Sequence, residues 1–383
     1  MIVNVSSPTH FHVIDLARQM KRLGVLGKYF TALPSSRTQG LETSHVARNL
    51  IPLLPLFFAR YFPESDFQRT LLKTHRDLYS NWLADSVTSC DVFHCLSGFG
   101  LYAHQRAKKE FGALTVCDRG SSHIAFQEQL LREEYQLWNQ SFPGIDKKGF
   151  DIELQEYEFC DLITVPSSFA YNSFLKMGVD ARKISKIPYG VDLSIFQQQP
   201  KHDDIFRVLF VGNLCLRKGI PYLLQALNNI NLPDFEITLI GSLSTEVKPF
   251  LNKFSGNLKY LGAKPRTELP FFYSQASVLV LPSIEDGFGL VQAQAMACGL
   301  PVISTINTGA EDLFTDGKEG FILPIRDSDA IREKVLLLYE NKLLRQQMSE
   351  TALERVQSLG GWNSYGQNIV DCYRKYLENK ENS

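Results

Sequence analysis

Residues 278–305 read VLVLPSIEDGFGLVQAQAMACGLPVIST, and this stretch indicates the fold class of the chain. An apolar strand is followed by two acids and two glycines, then by a helix that begins at LVQAQAMA, and then by a second apolar strand. Strands that alternate with helices in this way are typical of parallel sheets covered by helices. The same alternation recurs along most of the sequence, which predicts an α/β protein.

The alternation of strands and helices falls into two series. The first series comprises MIVNVSS at residues 1–7, a helix over about 11–23, VFHCL at 92–96, ALTVC at 113–117, DLITVPS at 161–167 and KISKIPYG at 183–190. The second series comprises RVLFVG at 207–212, FEITLIG at 235–241, LKYLG at 258–262, SVLVLPS at 277–283 and PVISTI at 301–306. Each series contains enough strands for a doubly wound sheet of its own.

A polar segment separates the two series. FQQQPKHDDIF, at residues 196–206, is charged and has no periodicity, which is typical of an interdomain linker. We therefore predict two doubly wound domains, over residues 1–196 and 207–360, and a last helix over 364–383. Open parallel sheets bind ligands beyond the carboxyl ends of their strands, so the sequence predicts an active site in the cleft between the domains.

Composition and charge exclude several classes of protein. The chain has 383 residues, and its 40 Lys and Arg balance 41 Asp and Glu, so no overall basic field is available to hold nucleic acid. Its seven cysteines form no C-x-x-C pair and are typical of reduced intracellular thiols. The first residues begin a strand without the pattern of a secretory signal, which favours a cytoplasmic location.

The longest apolar segment is LIPLLPLFFARYF, at residues 50–62. It is shorter than the roughly 20 residues of a membrane-spanning helix and contains Pro52 and Pro55, so we predict that it does not cross a membrane. Its leucines and aromatic residues, beside Arg48 and Arg60, suit peripheral contact with the inner face of a membrane. The alternative is a lid or a buried hairpin of a large domain.

A loop at residues 208–219, VLFVGNLCLRKG, carries the first candidate for a ligand site. A strand turns at Gly212, and Arg217 and Lys218 stand just before a predicted helix. A helix start with two cations favours an anion site such as a phosphate site, although two solvated surface charges are the alternative. The loop has neither the Walker pattern nor G-x-G-x-x-G, so neither a kinase nor an ordinary dehydrogenase is supported.

The glycines of the opening stretch form the second candidate. Gly287 and Gly289 expose backbone N–H groups at the positive end of a helix, where a sugar hydroxyl or a phosphate oxygen can accept from them. The acids Glu285 and Asp286 stand directly before them. The alternative is that the glycines only shape a tight turn between strand and helix.

Five segments together resemble the retaining glycosyltransferases of family 4. The segments are KIPYGVDLSIF at 186–196, GNLCLRKG at 212–219, EDGFGLVQAQAMACGLPVIST at 285–305, NTGAEDLFTDGKEGFILP at 307–324 and Trp362 before the last helix. The resemblance covers most of the chain. It implies the GT-B fold, in which two Rossmann-like domains face each other across a cleft.

The resemblance also implies roles for individual residues. Lys218, helped by Arg217, would contact the diphosphate of the donor and neutralise charge as the bond to phosphate breaks. The implied catalytic residues are His123, Arg217, Lys218 and Asp286. The implied donor-binding residues are Gly212, Asn213, Arg217, Lys218, Glu285, Asp286, Gly287, Phe288, Gly289, Leu290, Val291, Gln294 and Glu311. For Glu311, an acid in the first turn of a helix is an equal interpretation.

This sequence departs from the family in the second domain. Family members usually have two glutamates with seven residues between them, where this chain has Asp286 and Gln294, with Glu285 one residue out of register. Family members often have an arginine where this chain has Asn213. Because a glutamine can still bond a ribose diol, we expect donor binding to survive with a weaker charge-assisted contribution.

Histidines are the candidates in the first domain. By resemblance, His123 would face the transferred sugar, although a residue that is exposed or caps a helix is the alternative. The first loop, SSPTHFH at residues 6–12, lacks the paired glycines of the family, and its His10 and His12 could contact an acceptor, as could Phe11. We predict no metal site there, because the spacing is weak and no matching partner is nearby. His94, inside a strand, is expected to be a core residue.

The resemblance implies a reaction and its partners. A hexose would move from a UDP- or GDP-sugar to an acceptor hydroxyl, with retention at the anomeric carbon and without a cofactor or metal ion. The acceptor would be a sugar, a lipid-linked molecule or a small molecule, and the setting glycan biosynthesis. The alternative is a catalytically weak or inactive sensor of sugar-nucleotides or scaffold. The last helix would pack back on the first domain through an apolar stripe of Ile369, Val370, Tyr373 and Tyr376.

Overall fold

The computed structural model describes residues 1–62 and 65–381, which contain two parallel sheets. The first sheet is made of β1 (Val3–Ser6), β2 (Leu26–Thr31), β3 (Val46–Arg48), β4 (Val92–Leu96), β5 (Leu114–Asp118), β6 (Leu162–Val165) and β7 (Ile184–Lys186). The second is made of β8 (Phe206–Val211), β9 (Phe235–Ile240), β10 (Leu258–Tyr260), β11 (Val278–Leu281), β12 (Val302–Thr305) and β13 (Gly320–Leu323). The two Rossmann-like domains confirm the predicted fold class.

Helices connect the strands and cover both sheets. In the first domain they are α1 (Val13–Arg22), α2 (Leu53–Ala59), α3 (Asp66–Ser86), α4 (Leu101–Phe111), α5 (Ile124–Leu137), α6 (Lys147–Phe159) and α7 (Ser168–Lys176). They continue with α8 (Ile220–Leu227), α9 (Lys248–Lys253), α10 (Leu269–Gln275), α11 (Leu290–Ala297), α12 (Ala310–Leu313), α13 (Ser328–Glu340), α14 (Lys342–Ser358) and α15 (Gly361–Glu381). The stretch between β7 and β8, which contains most of the predicted linker, has neither helix nor strand.

The order of the strands determines where a ligand can bind. The first sheet runs β3-β2-β1-β4-β5-β6-β7 and the second runs β10-β9-β8-β11-β12-β13. In each sheet the strand order reverses beside the first strand. The connections after β1 and β4 therefore run in opposite directions, and so do the connections after β8 and β11. Such a switch point opens a crevice at the carboxyl ends of the strands, where ligands bind in folds of this kind.

Three strands did not appear in the sequence analysis. In β2 the apolar run is interrupted by Gly27 and Lys28, and in the edge strand β3 all three residues are only half-buried. The third, β13, is the short segment GFIL at the edge of the second sheet. Continuous apolar runs mark strands that are buried on both faces, so edge strands give a weaker signal.

The last helix, α15, returns to the first domain. Its Ile369, Val370 and Tyr373 are buried, and the Tyr373 hydroxyl lies 2.7 Å from His94 Nδ1. Gly366 permits close approach to α1, because a Cβ there would lie 2.4 Å from the Cβ of Gln19. The helix begins three residues before the predicted start, and residues 382–383 of the prediction lie outside the described residues.

Helix α5 joins the two domains. It belongs to the first domain, yet Glu134 near its end is fully buried and accepts a hydrogen bond of 2.8 Å from Arg326 Nε of the second domain. The hydroxyl of Tyr135 bonds Glu246, also of the second domain. The domains are therefore in direct contact on one side of the cleft.

Candidate active site

The cleft between the domains forms a cavity of about 400 Å³. Its first-domain wall includes His10, Phe11, His12, Asp15, Gly120 and Tyr189. Eight of the residues that the sequence assigned to donor binding line its second-domain wall, namely Gly212, Lys218, Asp286, Phe288, Gly289, Leu290, Val291 and Gln294. These eight residues lie in the loops after β8 and β11 and in the first turns of α11. This is the end of the sheet at which the strand order places a ligand-binding crevice.

Lys218 stands at the end of the loop after β8 and places a positive charge on the second-domain wall. Its side chain is largely buried, and Nζ forms an ion pair with Asp286 Oδ2. Gly219, which follows it, has φ +68°, and a Cβ there would lie 1.9 Å from the carbonyl oxygen of Pro282. Only glycine therefore lets the two loops approach closely enough for this ion pair.

Asp286 also shapes the turn into α11. Its Oδ1 accepts a hydrogen bond of 3.1 Å from the backbone N–H of Gly289, which has φ +69°. Helix α11 then begins at the cavity, with Leu290 and Val291 in its lining. The first N–H groups of a helix lack partners within the helix and carry partial positive charge. Lys218 and the start of α11 therefore form a surface whose charge suits an anion, which is called the anion-binding wall below.

Gln294, one turn further along α11, lines the cavity as well. The hydroxyl of Tyr273 donates a hydrogen bond of 3.0 Å to its Oε1. This bond fixes the amide and leaves its nitrogen as the group that can donate to a ligand. A neutral donor thus stands where the family usually has a carboxylate.

Glu285, which was predicted to bind the donor, lies at the contact between the domains. It is fully buried and accepts from Ser121 Oγ (2.6 Å), Ser122 Oγ (2.8 Å) and Gln127 Nε2 (2.7 Å), all of the first domain, and from Arg217 Nη1 (2.9 Å). Burial raises the pKa of this carboxyl, but Arg217 and the other donors outweigh burial and hold the pKa well below its ordinary range. Glu285 is therefore an ionised contact between the domains.

Arg217, which was predicted to help contact the diphosphate, takes part in the same contact between the domains. Its guanidinium is bound to Glu285, and it is not among the residues that line the cavity. A different guanidinium does reach the cavity, that of Arg266, which lies 3.8 Å from Asp192 Oδ2. Sequence reasoning missed Arg266, although its position after β10, at a carboxyl end of the sheet, was a usable signal.

His123, which was predicted to face the transferred sugar, stands at the start of α5. Its Nδ1 caps α5 by accepting a hydrogen bond of 3.2 Å from the N–H of Ala125, and its ring centre lies 4.9 Å from those of Tyr157 and Phe174. Burial, with a smaller contribution from Arg119, lowers its pKa to about 4. The ring does not line the cavity, so the capping alternative describes it.

Three more of the assigned donor residues lie outside the cavity lining. Asn213 accepts a hydrogen bond of 2.7 Å from Ser242 Oγ, and Glu311 is an exposed acid in the first turn of α12. Gly287 faces the first domain, where a Cβ on it would lie 2.1 Å from the carbonyl oxygen of Gly120. Gly287 therefore serves the contact between domains, and Glu311 fits the first-turn interpretation.

His12, in the first-domain wall, pairs with Asp118 behind it, and sequence reasoning missed this pairing. His12 Nε2 lies 2.6 Å from Asp118 Oδ2, and Tyr189 stacks on the His12 ring at 4.1 Å. His94 is fully buried, and its Nε2 lies 3.1 Å from the same Asp118 oxygen. The signal for Asp118 was a carboxylate at the carboxyl end of the buried strand β5.

The described ranges are residues 1–62 and 65–381. Within them, no three side chains of His, Cys, Asp or Glu are grouped so that they could hold a metal ion. Nor does any helix in these ranges combine the length and the apolar character that crossing a bilayer requires. The seven cysteines are free thiols, and five of them are buried.

Sequence comparison places the second domain among known proteins. The family model described as glycosyl transferases group 1 matches residues 192–355. An uncharacterized glycosyltransferase of Methanocaldococcus jannaschii is 34% identical over 149 residues, which cover 38% of this chain and 42% of the relative. The chain spans less than two thirds of the length of three such curated glycosyltransferases, between 42% and 64%.

Structural comparison covers the whole chain. A sucrose-phosphate synthase of Thermosynechococcus elongatus matches with a TM-score of 0.75 at 21% identity, over 99% of both chains. The Anabaena protein HepE, in complex with UDP-glucose, matches with a TM-score of 0.70 at 15% identity, over 98% of this chain and 100% of that chain. These matches confirm the predicted architecture. Residues 192–355 thus match the glycosyl transferases group 1 family, and the chain as a whole has the GT-B fold.

Proposed function

We propose that this protein is a glycosyltransferase that moves a hexose from a UDP- or GDP-sugar to an acceptor hydroxyl. The observation that carries the proposal is the anion-binding wall, in which Lys218 and the first N–H groups of α11 meet at one cavity. Such donors stabilise negative charge that develops on a leaving group, and they do so best in a cleft that excludes water. A sugar diphosphate is a leaving group of this kind.

The remaining cavity residues support a nucleotide-sugar as the donor. The amide nitrogen of Gln294 suits a ribose hydroxyl, and Arg266 adds a second cation at the cavity. The complex of HepE contains UDP-glucose, which makes UDP-sugars the first donors to test. We propose further that transfer proceeds with retention and without a metal ion, as the family resemblance implies, with Lys218 in the role that a divalent ion would otherwise fill.

A panel of UDP-, GDP- and ADP-sugars without added metal tests the proposal. One donor is expected to stabilise the protein by about 2.7 kcal/mol at a hundredfold excess over its Kd, read as a rise in Tm. That donor should also be hydrolysed slowly, and NMR of a transfer product gives its anomeric configuration. Stabilisation without turnover, with candidate acceptors present, would contradict transfer and favour the sugar-nucleotide sensor.

We also propose that the first domain contacts a membrane surface from the cytoplasmic side. The segment around α2 is not a buried hairpin, because it exposes an apolar patch of Ile51, Leu54, Phe57, Phe58 and Tyr61. The guanidinium of Arg60 lies 3.8 Å from the ring centre of Phe57 and can reach phosphate groups beside the patch. Contiguous exposed apolar residues with an adjacent cation suit a lipid–water interface. Residues 63 and 64 lie outside the described part of this segment.

Liposome flotation tests the membrane contact. The double variant Leu54→Asp/Phe57→Asp should lose most of its binding to vesicles of phosphatidylcholine and phosphatidylglycerol, because two charges in the apolar patch oppose burial in the interface. Leu343→Asp is the matched control, since Leu343 is 74% exposed on the second domain, and it should float like the wild type. Equal flotation of the double variant and the wild type would contradict the proposed contact.

A further inference from the structure

We propose that Gln294 makes the donor site tolerant of 2′-deoxyribose, so that 2′-deoxyribonucleoside diphosphate sugars serve as donors beside the ribonucleoside ones. The inference rests on the proposed function and widens the class of its substrate. Gln294 lines the cavity from α11, and Tyr273 of α10 bonds its amide from within the second domain.

Gln294 stands where the nucleoside of a donor would lie. It follows Leu290, the first residue of α11, by about one helical turn, so it lies roughly 5–6 Å along the helix from the N–H groups of the anion-binding wall. In a nucleoside diphosphate, the ribose directly adjoins the diphosphate. The transferred sugar must lie between the domains, within reach of an acceptor, whereas Gln294 packs against Tyr273 of the second domain. The ribose is therefore the part of the donor that meets Gln294.

Tyr273 determines which atom of the amide a ligand meets. Its side chain is fully buried, and within the described ranges its hydroxyl bonds Gln294 alone, at 3.0 Å. Burial raises the pKa of the Tyr273 phenol well above its ordinary value, so the hydroxyl keeps its hydrogen. That hydrogen needs an acceptor, and Oε1 of Gln294 is one, whereas Nε2 is not. Nε2 has no partner within the described ranges and is not sealed off by protein, so a ligand in the cavity can accept from it.

Every carboxylate in the described lining of the cavity is already paired with a cation. The pairs are Asp15 with Arg18 (2.7 Å), Asp192 with Arg266 (3.8 Å) and Asp286 with Lys218. In Rossmann-like folds a carboxylate typically holds the ribose by accepting the hydrogen of its 2′-hydroxyl. The described lining leaves no unpaired carboxylate for this purpose, so the neutral amide of Gln294 takes its place.

A neutral donor discriminates weakly between ribose and 2′-deoxyribose. A carboxylate binds a hydroxyl by a charge-assisted hydrogen bond, which is about twice as strong as a neutral one. A site built around such a bond rejects an analogue that lacks the hydroxyl, because the charged group is left unpaired. Nε2 of Gln294 can instead donate to the 3′-hydroxyl or to water. Loss of the 2′-hydroxyl therefore costs at most one neutral hydrogen bond, about 2–10-fold in affinity.

Binding of nucleoside diphosphates isolates the contribution of this hydroxyl. Calorimetry without added metal gives Kd for UDP, GDP and ADP and for the 2′-deoxy form of each. For a pair that binds, the wild type should bind the deoxy form no more than about tenfold more weakly. Both members of a pair have the same base and charge, so the ratio of their Kd values cancels their common contacts with the anion-binding wall.

Gln294→Glu should raise this ratio to about 10–100-fold, because a carboxylate can accept hydrogens from both ribose hydroxyls. Glutamate has the size of glutamine, and either of its oxygens can accept from Tyr273. The matched control is Gln347→Glu, which adds the same charge at an exposed position of α14 outside the cavity lining. Its ratio should equal that of the wild type.

Turnover should follow binding. With the donor that the panel identifies, the 2′-deoxy form should keep kcat/KM within about tenfold of the ribose form. A wild-type Kd ratio above about tenfold, or an unchanged ratio in Gln294→Glu, would overturn this inference and leave the proposed function standing. A folded wild type that binds none of these nucleotides would overturn the proposed function and this inference together.

Discussion

Lys218→Gln is expected to lower kcat for sugar transfer by about 10²–10³-fold, which is the effect of removing one donor that stabilises a developing anion. Glutamine is one atom shorter than lysine, retains a hydrogen-bond donor and carries no charge, so the diphosphate would leave without a cation from the loop after β8. Asp286, now without its ion-pair partner, would add a negative charge to the anion-binding wall. Donor affinity should also fall, because Lys218 contributes to binding before the bond breaks.

Steady-state kinetics with a saturating donor separates the two effects of this variant. Lys253→Gln is the control, because Lys253 is an exposed lysine at the end of α9 and does not line the cavity. Its kcat should match that of the wild type. Wild-type rates for Lys218→Gln would remove Lys218 from the mechanism and leave the first N–H groups of α11 as the main stabilising element.

Glu285→Gln is expected to lower the free energy of unfolding by about 2 kcal/mol, because a fully buried carboxylate that accepts hydrogen bonds from four side chains is replaced by a neutral amide, which leaves some of these donors unsatisfied. Arg217 would lose its anion, and the hydroxyls of Ser121 and Ser122 would lose a charged acceptor. Urea unfolding monitored by circular dichroism measures the loss. The control is Glu128→Gln, whose carboxylate pairs with Arg132 at the surface, and it should cost less than about 1 kcal/mol.

The loss from Glu285→Gln should depend on pH. Because the folded protein holds the pKa of Glu285 below its unfolded value, the carboxylate adds stability that is complete above the unfolded pKa of about 4.3. That stability is lost as the pH falls from there toward the folded pKa. The difference between wild type and variant should therefore be largest near pH 7 and shrink below about pH 4. An undiminished difference in acid would contradict an ionised Glu285.

The sequence predicted the parts of this fold that are buried on both faces. Strands such as β4 and β11 read as uninterrupted apolar runs, and their burial explains why. The sequence also indicated the loops after β8 and β11 as candidates for a ligand site, because glycines and charged residues directly after a buried strand are typical of such sites. Edge strands β3 and β13 were missed, because half-exposed or very short strands need no continuous apolar run.

The direction in which side chains point from the loops could not be predicted from the sequence. Glu285 and Asp286 are neighbours of the same charge, yet one joins the domains and the other meets Lys218 at the cavity. The bond from Gly289 to Asp286 fixes this choice, and no spacing in the sequence reveals it. The pairing of His12 with Asp118 spans 106 positions and depends on the order of strands in the sheet.

The return of α15 to the first domain makes that domain discontinuous along the chain. During translation, β8 through α14 emerge as one continuous block and can fold as soon as they leave the ribosome. The groove that receives Ile369, Val370 and Tyr373 stays exposed to water until α15 has been made. Synthesis therefore completes the amino-terminal domain last, and a nascent chain stalled before residue 361 would present this apolar groove to chaperones.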